Sequence, residues 1–115
     1  MKNLALALIL ALGAFSALPA SAGERTVKIT ATNFAFAPGT ITLKLHQHVK
    51  LHFVGKQGMH GIIIPDLGVN NVVNIGAQPV DVEVTPSKTG TFTAHCAVFC
   101  GAGHAAMILT IKVVK

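Results

Sequence analysis

Residues 90–114 read Gly-Thr-Phe-Thr-Ala-His-Cys-Ala-Val-Phe-Cys-Gly-Ala-Gly-His-Ala-Ala-Met-Ile-Leu-Thr-Ile-Lys-Val-Val. Before the first cysteine, Phe92, Ala94 and Cys96 alternate with Thr91, Thr93 and His95. At the other end Met107, Leu109, Ile111 and Val113 alternate with Ile108, Thr110, Lys112 and Val114. Period-two alternation of apolar and polar residues marks a half-buried strand. Between the flanks, Cys96 to Met107 holds both cysteines of the chain, one imidazole and one thioether. Thiolate and thioether sulfur combined with imidazole favours copper among the biological first-row metals. The stretch therefore predicts two strands that hold a copper-binding loop in a fixed shape.

The same alternation runs through the rest of the chain. Val27, Ile29 and Ala31 alternate with threonines and Lys28, and Phe34 and Phe36 continue the pattern as far as the turn at Pro38-Gly39. Ile41, Leu43 and Leu45 form the next apolar face, and His46-Gln47-His48 connects it to Val49, Leu51 and Phe53. A glycine-bracketed loop then leads into Met59-His60-Gly61-Ile62-Ile63-Ile64, stopped by Pro65. Asp66-Leu67-Gly68 and Asn70-Asn71 read as turn chemistry, and Val80, Val82 and Val84 mark a further strand. No segment sustains a helical period. About seven short strands with regular turn signals predict an all-β sandwich.

Composition narrows the class of function. The chain has 115 residues, 51% of them hydrophobic and 11% charged, which is enough for one domain. Lys2, the apolar run from Leu4 to Leu18 and the small residues Ala20-Ser21-Ala22 have the layout of a secretory signal peptide. The run is shorter than the roughly 20 residues needed to span a bilayer, and Gly13, Ser16 and Pro19 interrupt it. The expected division is a signal peptide over 1–22 and a domain over 23–115, placing the domain in the periplasm or outside the cell with no membrane span after cleavage. Removing 1–22 takes one of nine basic residues and none of the four acidic ones. The remaining basic residues are scattered, without the clustering or aromatic interleaving of a nucleic-acid surface. A mildly basic face suits an acidic redox partner.

Parity sorts the six histidines. His52 shares a face with Lys50 and His95 with Thr91 and Thr93, so both point to solvent, His95 away from Cys96. His46 and His48 lie in a turn, where exposed polar residues are expected. His60 shares parity with Ile62 and Ile64 and can turn inward from the start of its strand. His104 lies within the loop, and Met107 opens the inward face of the last strand. Two thiols in an exported chain commonly form a disulfide. Here that bridge would close a very short loop, stabilise little, and leave His60, His104 and Met107 without a role. Two reduced thiolates instead call for a cation. The number of coppers stays open: Cys-x3-His-x2-Met is also compatible with a mononuclear blue-copper site using His60, Cys100, His104 and Met107, with Cys96 spare.

Residues 96–107 resemble the CuA loop of cytochrome c oxidase subunit II, with its Cys-x3-Cys-x3-His-x2-Met spacing and glycine after the second cysteine, here Gly101. His60-Gly-Ile-Ile-Ile-Pro65 followed by Asp-Leu-Gly-Val is similar to that family's first-histidine segment, and nitrous oxide reductase carries a similar copper loop. The likeness extends over about residues 26–114. It implies a cupredoxin-like Greek-key β-sandwich with two coppers bridged by Cys96 and Cys100. It further implies that His60 and His104 bind one copper each, and that Met107 and the backbone carbonyl of Val98 are weak ligands. Glutamate is common at the Val98 position in that family, but a main-chain ligand tolerates the change. The implied role is one-electron transfer, with a cytochrome or terminal oxidase as redox partner. Catalysis by this chain alone is not expected, since no catalytic dyad or carboxylate pair is present. Two departures weigh against membership of an oxidase complex: transmembrane helices precede the copper domain in the family's oxidase members, and this chain has no Trp or Tyr. A periplasmic copper chaperone or storage protein is the alternative from another functional class, and a mononuclear cupredoxin is the alternative within the same one.

Overall fold

The computed structural model describes residues 25–115. The signal-peptide expectation for 1–22 lies outside them. Nine strands follow in order: β1 (Arg25–Thr32), β2 (Ala35–Ala37), β3 (Thr40–Lys44), β4 (Val49–Gly55), β5 (His60–Ile64), β6 (Val69–Ile75), β7 (Val80–Val84), β8 (Gly90–His95) and β9 (Ile108–Val114). The only helical turns among the described residues are single 3₁₀ turns at Pro65–Leu67 and His104–Ala106. The all-β expectation holds.

One sheet has the order β2-β1-β4-β7 and another β3-β9-β8, while β5 and β6 pair as a two-stranded ribbon. The ribbon is tied to the second sheet where Ile62 bridges Cys96, just beyond β8, and Ala97 N–H donates to the Gly61 carbonyl at 2.9 Å. β1 runs parallel to β4 and β3 parallel to β9. Parallel neighbours cannot be joined by a tight hairpin, so the chain crosses between layers. Alternation then fills the space between sheets: Ile29, Ala31, Ile41, Leu43, Leu51, Phe53, Ile62, Ile64, Leu109 and Ile111 are all buried. Their polar neighbours on the same strands face outward, as the pleat requires.

Two local readings change. The β1 alternation does not continue through Phe34; the chain turns at Asn33-Phe34 and β2 returns antiparallel to β1, pairing Thr32 with Ala35. Asn70 and Asn71 are not a turn but lie in β6, paired with β5. β6 packs on one side only. Of its seven residues just Ile75 is buried, so there was no inward face for an alternating pattern to record.

Candidate metal centre

β5, β8 and β9 bring the soft donors together at one end of the sandwich. β8 runs straight into Cys96, whose N–H donates to the Met107 carbonyl at 3.0 Å, so the two ends of the loop are clamped as a continuation of the β8–β9 pair. Strand parity sends Cys96 and Met107 inward, 3% and 0% exposed, and leaves His95 exposed. Inside the loop, N–H groups of His104, Ala106 and Met107 donate to the carbonyls of Gly101, Gly103 and His104. These bonds wind the segment into the 3₁₀ turn that carries His104 back toward Cys100.

His60 reaches the same place from β5. It is 1% exposed, the one buried polar or charged residue among those described. Its Nε2 lies 2.6 Å from the Gln57 carbonyl. A carbonyl can only accept, so Nε2 carries a proton, and in the neutral ring Nδ1 is the nitrogen with the lone pair. That Nδ1 faces Cys96 Sγ at 3.9 Å. A hydrogen bond that fixes the tautomer and the ring plane is the usual support for an imidazole that binds metal.

The donor atoms of His60, Cys96 and Cys100 all lie within 4.8 Å of one another. Both thiols are free. Each sulfur has a second set of donors beside it. Cys96 Sγ donates to the Val98 carbonyl at 3.1 Å. Cys100 Sγ lies 3.6 Å from His104 Nδ1 and 3.8 Å from Met107 Sδ. All six positions singled out from the sequence thus converge, and His46, His48, His52 and His95 do not join them. Partial burial above all, with the hydrogen bond and charge of Cys96, pushes the Cys100 thiol up from 9.0 to about 11, against a bond from its own backbone that acts the other way. Two close thiols in an apolar wall resist becoming two anions unless a cation joins them. The donor set of two thiols, two imidazole nitrogens, one thioether and one carbonyl fits copper.

Three contributors escaped the sequence reading. Gln57 acts through its backbone carbonyl, for which no residue type is a signal. Phe99 is 79% exposed and its ring lies 5.4 Å from that of His104. Phe34 packs against the loop at Gly101 and Gly103. The paired glycines were the available clue, since glycine often marks the close approach of another group.

Comparison with known proteins gives the family and the fold. The family model for the cupredoxin-like domain matches residues 4–109. A probable cytochrome c oxidase subunit 2 of Streptomyces coelicolor is 53% identical over 33 residues, 29% of this chain and 10% of the relative. Cytochrome c oxidase subunit 2 of Candida glabrata is 28% identical over 76 residues, 66% of this chain and 30% of the relative. The chain therefore spans less than a third of the length of these relatives. In fold it is similar to the periplasmic domain of cytochrome oxidase subunit II of Bradyrhizobium japonicum, with TM-score 0.70 at 18% identity over 79% of this chain and 84% of that one. With the family model matched over residues 4–109 and a His/Cys/Cys cluster compatible with copper, the chain belongs to the cupredoxin-like domain family and resembles the CuA domain of cytochrome c oxidase subunit II.

Proposed function

We propose that the protein is an exported electron carrier with a binuclear copper centre of the CuA type. The observation that carries this reading is that each of two free, adjacent sulfurs has its own imidazole and its own weaker donor at hand. Cys96 and Cys100 would hold the copper through their sulfurs, His60 and His104 would each supply a nitrogen, and Met107 and the Val98 carbonyl would complete the set. Copper held there supplies a one-electron couple.

The chain's own residues do the rest. Cys96 and Cys100 each release a proton to solvent on binding metal. The Gln57 carbonyl keeps the proton of His60 on Nε2, leaving Nδ1 as the donor. Cys96, Met107 and His60 are almost wholly buried, so water is excluded from the inner side. The clamp of Cys96 to Met107 holds donor positions nearly fixed, which keeps the rearrangement accompanying electron transfer small. His104 and Phe99 form the more open side and give a redox partner, such as a cytochrome or terminal oxidase, its nearest approach. Export follows from the signal-like residues 1–22; among the described residues no helix is long and apolar enough to cross a membrane.

Copper quantification with EPR on the loaded protein tests the reading. About two coppers per chain sharing one unpaired electron is the expected result. One copper with a blue charge-transfer band would replace it with the mononuclear site. Tight Cu(I) binding without reversible redox chemistry, with transfer to an apo-acceptor, would replace it with the chaperone.

A further inference from the structure

The turn between β1 and β2 supplies none of the six donors, yet it touches both segments that carry the histidines. On one side Asn33 N–H donates to Gln57 Oε1 at 3.2 Å, and Gln57 is the residue whose carbonyl holds the His60 ring. On the other side the Phe34 ring packs against the backbone at Gly101 and Gly103, between Cys100 and His104. A Cβ added at Gly103 would fall 2.4 Å from Phe34 Cγ and Cδ2, and one at Gly101 would fall 2.8 Å from Cε1 and Cζ. No such atom fits, so ring and loop are mutually shaped. Gly101 also sits at φ +130°, a conformation that side chains rarely adopt.

A link of three residues with two glycines has little conformational preference of its own. Its internal hydrogen bonds, His104 to Gly101 and Ala106 to Gly103, form a single turn. Something must select that turn from the many open to the segment, and the Phe34 ring is the rigid surface against which it rests. We propose that Phe34 is a positioning residue for the metal centre: by packing on Gly101 and Gly103 it sets the separation of Cys100 from His104, while its neighbour Asn33 steadies the Gln57–His60 arm from the same turn. This inference rests on the copper reading for its functional meaning and on packing alone for its geometry.

The test compares Phe34→Leu, Phe34→Ala, Gly103→Ala and the double variant Phe34→Ala/Gly103→Ala with the unaltered chain. Three quantities are read: the rate at which a Cu(I) chelator strips the loaded protein, its EPR spectrum, and amide exchange of His104 and Ala106 in the metal-free protein. Altering a residue that orients metal donors costs about 10- to 100-fold in retention. Stripping should accelerate by about that factor in Phe34→Ala and in Gly103→Ala, with a shifted spectrum and faster exchange at the two amides, and Phe34→Leu should fall between. In the double variant the clash is gone, so it should strip no faster than Phe34→Ala, the two effects failing to add. A Phe34→Ala protein that melts earlier but keeps the original spectrum, stripping rate and amide protection would make Phe34 simple filler and overturn the proposal. Full additivity in the double variant would overturn it as well. If the unaltered chain takes up no copper, the functional reading fails by itself; the exchange data still decide whether Phe34 orders the loop.

Discussion

Two groups of histidines in this molecule face opposite fates. On the outer face of the β4–β7 pair, His52 Nδ1 meets Asp81 Oδ1 across the register, and His48 reaches Thr85 and Glu83. On the inner side of β5, His60 meets a backbone carbonyl with one nitrogen and a thiol with the other. The outer ring nitrogens face hard oxygen partners in partly solvated surroundings, and the acids beside them are exposed. The inner Nδ1 is left with its lone pair toward sulfur in an apolar wall. Whether a histidine can serve a soft metal depends on what occupies its second nitrogen and on which atoms surround the first. The number of histidines nearby does not decide it.

The largest expected effect comes from the sulfurs. Cys96→Ser keeps the shape of the loop but removes the sulfur beside which His60 Nδ1 and the Val98 carbonyl lie. The shared-electron EPR signal should vanish, with at most one copper retained per chain. A variant that kept the signal would break the contrast at its root, because the inner site would then not need two sulfurs. Second in size is His60→Gly. It should lose the signal too, but the vacated space opens beside the Gln57 carbonyl, so added imidazole should restore part of it. No recovery, with the fold intact, would mean that His60 serves packing and not coordination.

Third comes a pH effect in the metal-free protein. Folding raises the Cys100 thiol from 9.0 to about 11, so the native state holds its proton where the unfolded chain has lost it. Stability depends on pH through the difference in bound protons, and here the native state binds more. This contribution is therefore fully present below about pH 9 and is lost as pH rises toward about 11. Melting temperatures across that window should fall in the parent chain and fall less in Cys100→Ala. An equal decline in both would place the cause elsewhere.

How far the sequence revealed this contrast depends on the range of each interaction. Strand parity is local, and it sent Cys96, Met107 and His60 inward and His95 outward. The β-sandwich was equally legible, because β1, β3, β4, β8 and β9 each bury one face. β6 was not, since an edge strand with one buried residue has nothing to alternate. The role of Phe34 was hidden for another reason. Its alternation with Phe36 looked like a continuing strand, and its real partners, Gly101 and Gly103, lie in a loop far along the chain. Likewise, the Gln57 carbonyl that fixes the His60 proton belongs to the main chain, on which side-chain identity leaves no mark.

The smallest expected effect lies on the outer face. His48→Ala with His52→Ala removes both members of the exposed group at once. Each loses a partly solvated contact to a carboxylate, and pairs of that kind contribute about 0–1 kcal/mol. The melting temperature should move only slightly, and copper stoichiometry and EPR signal should match those of the parent chain. This null result carries information because the variant retains His60 and His104 and loses two other histidines. If copper content fell, the outer face would be binding metal despite its oxygen partners. The rule drawn from the comparison, that a free lone pair among soft neighbours selects the site, would then be wrong.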